Sequence, residues 1–331
     1  MEIKKKYFGQ TLKGEKIQSY LIKNDNNISI EIINYGAIIT KIITPDIKGE
    51  NKNIVLGYNN LSDYEKDKHF IGAIIGRYAN RINNAIIKLN NKTYCLEKND
   101  KENHLHGGDS GFHKKKWEYK KQFIENDSAG ITLNYLSKDL EAGFPGNLNI
   151  EVSYTLNNNN EIKIKYIAKT DRDTHINITN HTYFNLSSNL NQNIFDHNLT
   201  ISGNKYLEFN KDNIPTGKIL DVSNSKFDFQ KSRKISNELD NCWIIKLENN
   251  KTQKLAAHLT HEKTGRSIKV FTDEPGVQVY TGNNLNKTHK KNSGICIETQ
   301  HFPDSPNNTS FPTTLLTPNN PFESNTTIKI L

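Results

Sequence analysis

The sequence predicts an all-β protein, one large antiparallel β-sandwich with few short helices, and three observations carry that prediction. Ile150, Val152, Tyr154 and Leu156 alternate with other residues, a polar turn intervenes at Asn157 to Asn160, and Ile162, Ile164, Tyr166 and Ala168 alternate back, which is the pattern of an antiparallel hairpin. Short β-branched and aromatic runs recur along the chain, separated by turn chemistry at intervals of about ten residues. No helical period of about ten residues alternates with those runs, which argues against a parallel βαβ arrangement. At 331 residues the chain can bury a sizeable core. With neither an internal repeat nor a linker, it is expected to form a single domain over 1–331.

Strand patterns begin at Lys16 to Ile22 and continue through Ile28 to Ile43, where Asn34-Tyr35-Gly36 calls for a turn or bulge. Asn53 to Gly57 is another short apolar run. Leu61 to Lys68 is expected to be a short surface helix, with Ser62 as its N-cap and Glu65 in capping-box spacing. Phe70 to Arg77 is apolar, Ala85 to Glu97 a hairpin turning at Asn90-Asn91, and Trp117 to Leu136 a hairpin about Asn126 to Gly130. Gly143-Phe144-Pro145-Gly146 is a loop. Ile176 and Ile178 alternate with polar residues as in a strand with one wet face. Further strands are expected near His197 to Ser202, Lys205 to Phe209, Trp243 to Leu247, Lys254 to His261, Ser267 to Thr272, Val277 to Thr281, Gly294 to His301 and Thr326 to Leu331, with Lys211 to Asn237 polar and loop-rich.

Charge and cysteine usage narrow the function classes. The formal net charge is +8, but 39 of the 44 basic residues are lysines scattered among Asn and Ile. Nucleic-acid binders cluster arginine for bidentate contacts, so this charge is a solvated surface and no nucleic-acid partner is expected. Cys95, Cys242 and Cys296 lie far apart and form neither CxxC nor Cys/His metal spacing, which fits a reduced compartment. Met1 to Gln10 has no apolar run behind its basic residues, and no stretch approaches the ~18 apolar residues of a membrane span. A soluble, cytoplasmic protein is expected. Triplets such as Asn198-Leu199-Thr200 follow from the Asn-rich composition.

Candidate chemistry sits in a few places. His181 follows the Ile176 to Thr179 alternation inside a polar and aromatic cluster, either as a proton-transfer group or as a hydrogen-bonded histidine at a strand end. In Gly294 to His301, period two puts Cys296, Glu298 and Gln300 on one face and Ile295, Ile297 and Thr299 on the other. If the isoleucine face packs in the core, Glu298 points into a polar concavity; the alternative is a carboxylate satisfied by arginine or backbone amides. Arg77 and Arg81, two of only five arginines, suit a hydroxylated or anionic ligand or else a carboxylate partner. His104 and His106 ahead of Gly107-Gly108 look like a metal site, yet no third ligand lies at short range. The glycines imply a close backbone approach, and a polar ligand contact ranks above a metal there. The sequence contains no GxGxxG after a strand, GxxxxGK[ST], GxSxG or HExxH, so nucleotide, acyl-transfer and zincin chemistries lose weight.

Six segments taken in order are similar to the aldose 1-epimerase (galactose mutarotase) family. They are Gly76-Arg77-Tyr78-Ala79-Asn80-Arg81-Ile82, Asn103-His104-Leu105-His106-Gly107-Gly108, Gly143-Phe144-Pro145-Gly146, Asn180-His181-Thr182-Tyr183-Phe184-Asn185-Leu186, the run Pro275 to Asn283, and the run Ile297 to Asn307. The resemblance implies a β-sandwich of the galactose mutarotase type that holds a sugar on an open concave face. It implies Glu298 as the base at the anomeric hydroxyl and His181 as the acid at the ring oxygen, with no metal or redox cofactor. Asn80, Arg81, His106 and Gln278 match positions that hold sugar oxygens, and Tyr183 joins them. Asp240 matches the family's sugar-binding aspartate, although Asn241-Cys242 follows it where the family usually has His-Asn. His113 stands where the family usually has aspartate, a change expected to alter loop packing and leave the chemistry alone. The activity so implied is interconversion of α and β anomers of free aldohexoses such as galactose and glucose. A hexose-phosphate 1-epimerase and a catalytically silent sugar-binding module are the alternatives, and a monomer or homodimer is expected.

Overall fold

The computed structural model describes residues 1–245 and 252–331. Strands take 49% of the protein and helices 6%, against roughly 20–25% strand in an ordinary soluble domain. Three larger antiparallel sheets form the framework. Nine strands run in the order Glu118–Ile124, Ser128–Ser137, Leu148–Asn157, Glu161–Thr170, Phe322–Ile330, Arg266–Thr272, Lys254–His261, Asn198–Ile201, Arg233–Lys234. Six run in the order Tyr183–Phe184, Ile295–Gln300, Gly276–Tyr280, Asp240–Ile244, Lys205–Phe209, Pro215–Asp221. Five at the N-terminus, Glu2–Gln10, Lys16–Lys23, Ser29–Ile33, Ile38–Pro45 and Asn51–Asn53, pair in chain order.

The expected hairpin lies inside the nine-stranded sheet, with Ile150 opposite Ala168 and Tyr154 opposite Ile164. Its alternating apolar set is fully buried and shares one cluster with Ile30, Ile32 and Ile39 of the five-stranded sheet and with Val277, Val279, Ile295 and Ile297 of the six-stranded sheet. Each isoleucine, leucine or valine among them contributes about 1.5–3 kcal/mol through burial, which fixes which face of each strand turns inward. The six-stranded sheet therefore spends one face on the core and leaves the other for a site. At Asn90-Asn91 both residues take left-handed φ, 50° and 59°, as the two-residue hairpin turn requires.

Several expectations are corrected. Glu2–Gln10 is a strand although it has no apolar run; it lies at a sheet edge, paired to Lys16–Lys23, where backbone pairing suffices and lysines discourage further addition. The helix is Leu61–Lys66 and its cap is Asn60, not Ser62. Asn60 Oδ1 accepts from Asp63 N at 3.1 Å and Asn60 Nδ2 donates to Asp63 Oδ2 at 2.7 Å, because buried Leu61 must already lie in the first turn. The run Asn53 to Gly57 pairs only as Asn51–Asn53 plus a bridge from Val55 to Phe184. The apolar run Phe70 to Arg77 is largely buried, as expected, and pairs with Thr179–Asn180 at Ile74–Ile75. Ile176 to Thr179 has no wet face: Asn177 is buried, donating to Ala79 O and His301 O and accepting from His301 N, so its polarity serves neighbouring backbone. Lys211 to Asn237 contains Pro215–Asp221 and Arg233–Lys234. The strand expected at Trp243 to Leu247 begins earlier, at Asp240, and runs to Ile244; positions 246 and 247 lie outside the described residues. Among the described residues, no helix is long and apolar enough to cross a membrane.

Candidate active site

Period two builds the floor of the site. Across adjacent strands Glu298 lies opposite Gln278, Tyr280 opposite both Asp240 and Cys296, and Cys296 opposite Tyr183. These side chains share the face turned away from Val277, Val279, Ile295 and Ile297. Loops supply the wall. His106 N donates to Asn80 O at 3.0 Å and Asn80 N donates to His106 Nδ1 at 3.1 Å, a reciprocal clamp between two residues in left-handed backbone. Gly107, at φ +87°, passes so close to Gly76 that a Cβ would lie 1.8 Å from its carbonyl oxygen, so the glycine permits the approach that seats His106. His181 is held by its own backbone, donating to Ala73 O at 2.9 Å and accepting from Gly72 N at 3.0 Å.

The result is a pocket of about 140 Å³ lined by Asn80, Arg81, His106, His181, Tyr183, Asp240, Gln278 and Glu298, together with Lys68, His69, Phe70, Leu105, Tyr280 and Asn284. All eight residues proposed from sequence reach one cavity. Tyr280 was missed although it stands two residues beyond Gln278, which period two already assigns to the same face. Phe70 had no such signal. Its φ of 58° turns its ring to 4.7 Å from both His106 and His113 and 5.8 Å from His181, and nothing local announces that backbone. His113 packs behind Phe70 and does not line the pocket; burial lowers its pKa to about 3.

The two arginines separate. Arg77 is buried outside the pocket, its guanidinium donating to the carbonyls of Pro145, Gly146, Ser137 and Lys138 and to Ser137 Oγ. Arg81 faces the pocket and donates through Nε to Asp100 Oδ2 at 2.7 Å. The histidines separate likewise: His104 is buried against Glu97 O at 2.8 Å, and His106 reaches the pocket.

Electrostatics are set by burial. His181 Nε2 lies 3.7 Å from Glu298 Oε1, with both side chains nearly inaccessible. Burial lowers the His181 pKa to about 3, and burial followed by the charge of Asp240 raises that of Glu298 well above the carboxylate range. Both shifts favour the uncharged forms, a carboxylic acid beside a neutral imidazole that share one exchangeable proton. Asp240 accepts from Gln278 Nε2 at 2.7 Å; burial raises its pKa while Arg81 opposes the rise. Among the described residues, Glu298 Oε2 and Gln278 Oε1 are buried acceptors without a protein donor. Because His106 Nδ1 accepts a backbone N–H, its Nε2 carries hydrogen and is a donor. Acceptors on the floor facing donors on the wall match a ligand rich in hydroxyl groups.

Two groups of three donor atoms lie within 4.8 Å of one another among the described residues, His106/His181/Glu298 and Asp196/His197/His261. In each, a histidine lone pair is already committed to backbone: His106 Nδ1 to Asn80 N, and His197 Nε2 to Leu186 N at 2.9 Å. Neither histidine can ligate a cation through its other nitrogen without giving up that bond or becoming an imidazolate.

The sequence model of the aldose 1-epimerase family matches residues 18–329. Galactose mutarotase of Mus musculus is 36% identical over 330 residues, covering 96% of this chain and 94% of that protein. Aldose 1-epimerase of Escherichia coli is 30% identical over 318 residues, covering 90% of each. Among solved structures, galactose 1-epimerase from Lactobacillus acidophilus superposes with a TM-score of 0.88 at 26% identity, covering 100% of this chain and 98% of that one.

Proposed function

Since this chain belongs to the aldose 1-epimerase family, we propose that it acts on free aldohexoses such as galactose and glucose and that Glu298 and His181 move the protons. The protein is an isomerase that interconverts the anomers of aldoses. The pair's proton first passes from the Glu298 carboxyl to His181 Nε2; Glu298 then removes the proton of the anomeric hydroxyl while His181 Nε2 gives its proton to the ring oxygen, and the bond between that oxygen and the anomeric carbon breaks. Rotation about the adjacent carbon–carbon bond presents the other face of the free aldehyde. Reclosure returns the ring-oxygen proton to His181 and the carboxyl proton to the new anomeric oxygen, so no proton is gained or lost. The observation that carries this reading is the buried His181–Glu298 pair, 3.7 Å apart, lining one cavity with the other six candidate residues.

The cavity favours a neutral sugar over a hexose phosphate. Arg81 is already engaged by Asp100, Asp240 and Glu298 occupy the floor, and Lys68 stands only at the exposed rim. A phosphate would meet the Asp240 carboxyl there, and no cation free of a carboxylate partner lies in depth among the lining residues to hold it. Cys95, Cys242 and Cys296 are unpaired, which supports the cytoplasm as the enzyme's compartment.

The test is polarimetry on freshly dissolved α-galactose and α-glucose. Acceleration by the protein, inhibited by excess free hexose and not by hexose phosphate, is expected. Sugar binding without acceleration would establish the silent module instead. The pH profile follows from the pair. A second proton on His181 removes the base below about pH 3, and loss of the single proton above the raised pKa of Glu298 removes the acid. The acid limb of kcat/KM is therefore expected well below the ordinary histidine value, with less than about a twofold change between about pH 5 and 7. An acid limb near pH 6.5 would contradict this proton count.

A further inference from the structure

We propose that Cys296 is a positioning residue that accepts the Nδ1–H of His181 and so keeps Nε2 free to trade the working proton. The inference rests on the proton-transfer reading above and goes beyond it. Cys296 Sγ lies 3.3 Å from His181 Nδ1, and on the opposite edge of the ring Nε2 lies 3.7 Å from Glu298 Oε1. Cys296 and Glu298 are two residues apart on one strand and project to the same face, so a single strand carries both the base and the contact behind the acid. In the sheet Cys296 is flanked in register by Tyr183 and Tyr280, whose rings lie 5.0 and 6.4 Å from the imidazole, and Tyr183 is anchored by donating to His69 O at 2.9 Å. The ring is boxed in, and the thiol meets its Nδ1 edge.

A proton can pass between Glu298 and Nε2 only if Nε2 is a lone pair whenever the carboxyl is loaded, and the remaining ring hydrogen must then sit on Nδ1. A partner that accepts from Nδ1 selects that tautomer. Sulfur does so weakly, unlike a carboxylate, which would stabilise the imidazolium and make it a poorer acid. Burial keeps the Cys296 thiol protonated, so no negative charge forms behind the ring.

The experiment combines ¹⁵N NMR of histidine-labelled protein with steady-state kinetics on wild type, Cys296→Ala and Cys296→Ser. Wild-type His181 is expected as the Nδ1–H tautomer. Cys296→Ala is expected to populate the Nε2–H form and to lower kcat about tenfold with KM within about twofold. Cys296→Ser, which restores an acceptor, is expected to regain the Nδ1–H form and part of kcat, with the acid limb moved to higher pH. Wild-type His181 in the Nε2–H form overturns the proposal, as does a folded Cys296→Ala protein with unchanged tautomer and kcat. Should Cys296→Ala fail to fold, the wild-type tautomer and the serine variant decide. Absence of anomerase activity in wild type would overturn the proton-transfer reading alone, since the tautomer is observed without turnover.

Discussion

Glu298→Gln is expected to lower kcat for anomer exchange by about 10³, within the range of about 10²–10⁴ for a lost general base, while KM changes little. The substitution keeps the shape of the side chain and removes its ability to take a proton. Burial already disfavours the Glu298 charge, so a neutral amide is tolerated there, and the variant is expected to unfold no earlier than wild type. His181→Asn is expected to cost about as much, and the double variant little more than either, because acid and base act in one step. Polarimetry with thermal unfolding on the same samples checks all three. A Glu298→Gln enzyme at the wild-type rate would remove the base assignment.

Arg77→Met carries the largest expected effect on stability, a loss of about 3–5 kcal/mol, because the change strips a buried guanidinium from four backbone carbonyls and two hydroxyls. The methionine chain fills much of the volume and satisfies none of those acceptors. The loop Gly143-Phe144-Pro145-Gly146, joined to Arg77 through Pro145 and Gly146, is expected to loosen first. Urea denaturation reads the loss as a lower midpoint at unchanged slope. Activity per folded molecule is expected to persist, since Arg77 does not line the pocket. A loss below about 1 kcal/mol would show that water replaces the guanidinium without penalty.

Those two variants separate what is local in this chain from what is not. Glu298 was legible because alternation is a property of a single strand: with Ile295 and Ile297 in the core, the residue between Ile297 and Thr299 must face the other way. The same rule, applied one step further, would have found Tyr280 from Gln278. Arg77 and Arg81 show the limit. They lie four residues apart in one motif, and their separation into a loop clamp and a pocket residue depends on carbonyls about 60–70 positions away. Asn177, between Ile176 and Ile178, shows the same limit, since it is buried by distant backbone partners rather than exposed by its own pattern.

The sequence by itself determined the all-β class, the central hairpin and its turn, the faces of the strand carrying Glu298, and a set of eight polar and aromatic positions worth testing for sugar chemistry. Only the tertiary structure decided that those eight line one cavity, that Phe70 turns into it on left-handed backbone, that Cys296 stands behind His181, and that His181 and Glu298 are buried 3.7 Å apart. Period and turn chemistry act over a few residues and are written in order along the chain. Strand partners, burial and the charge state of a buried pair arise from groups that meet only after folding, where removal from water rather than residue identity sets their protonation.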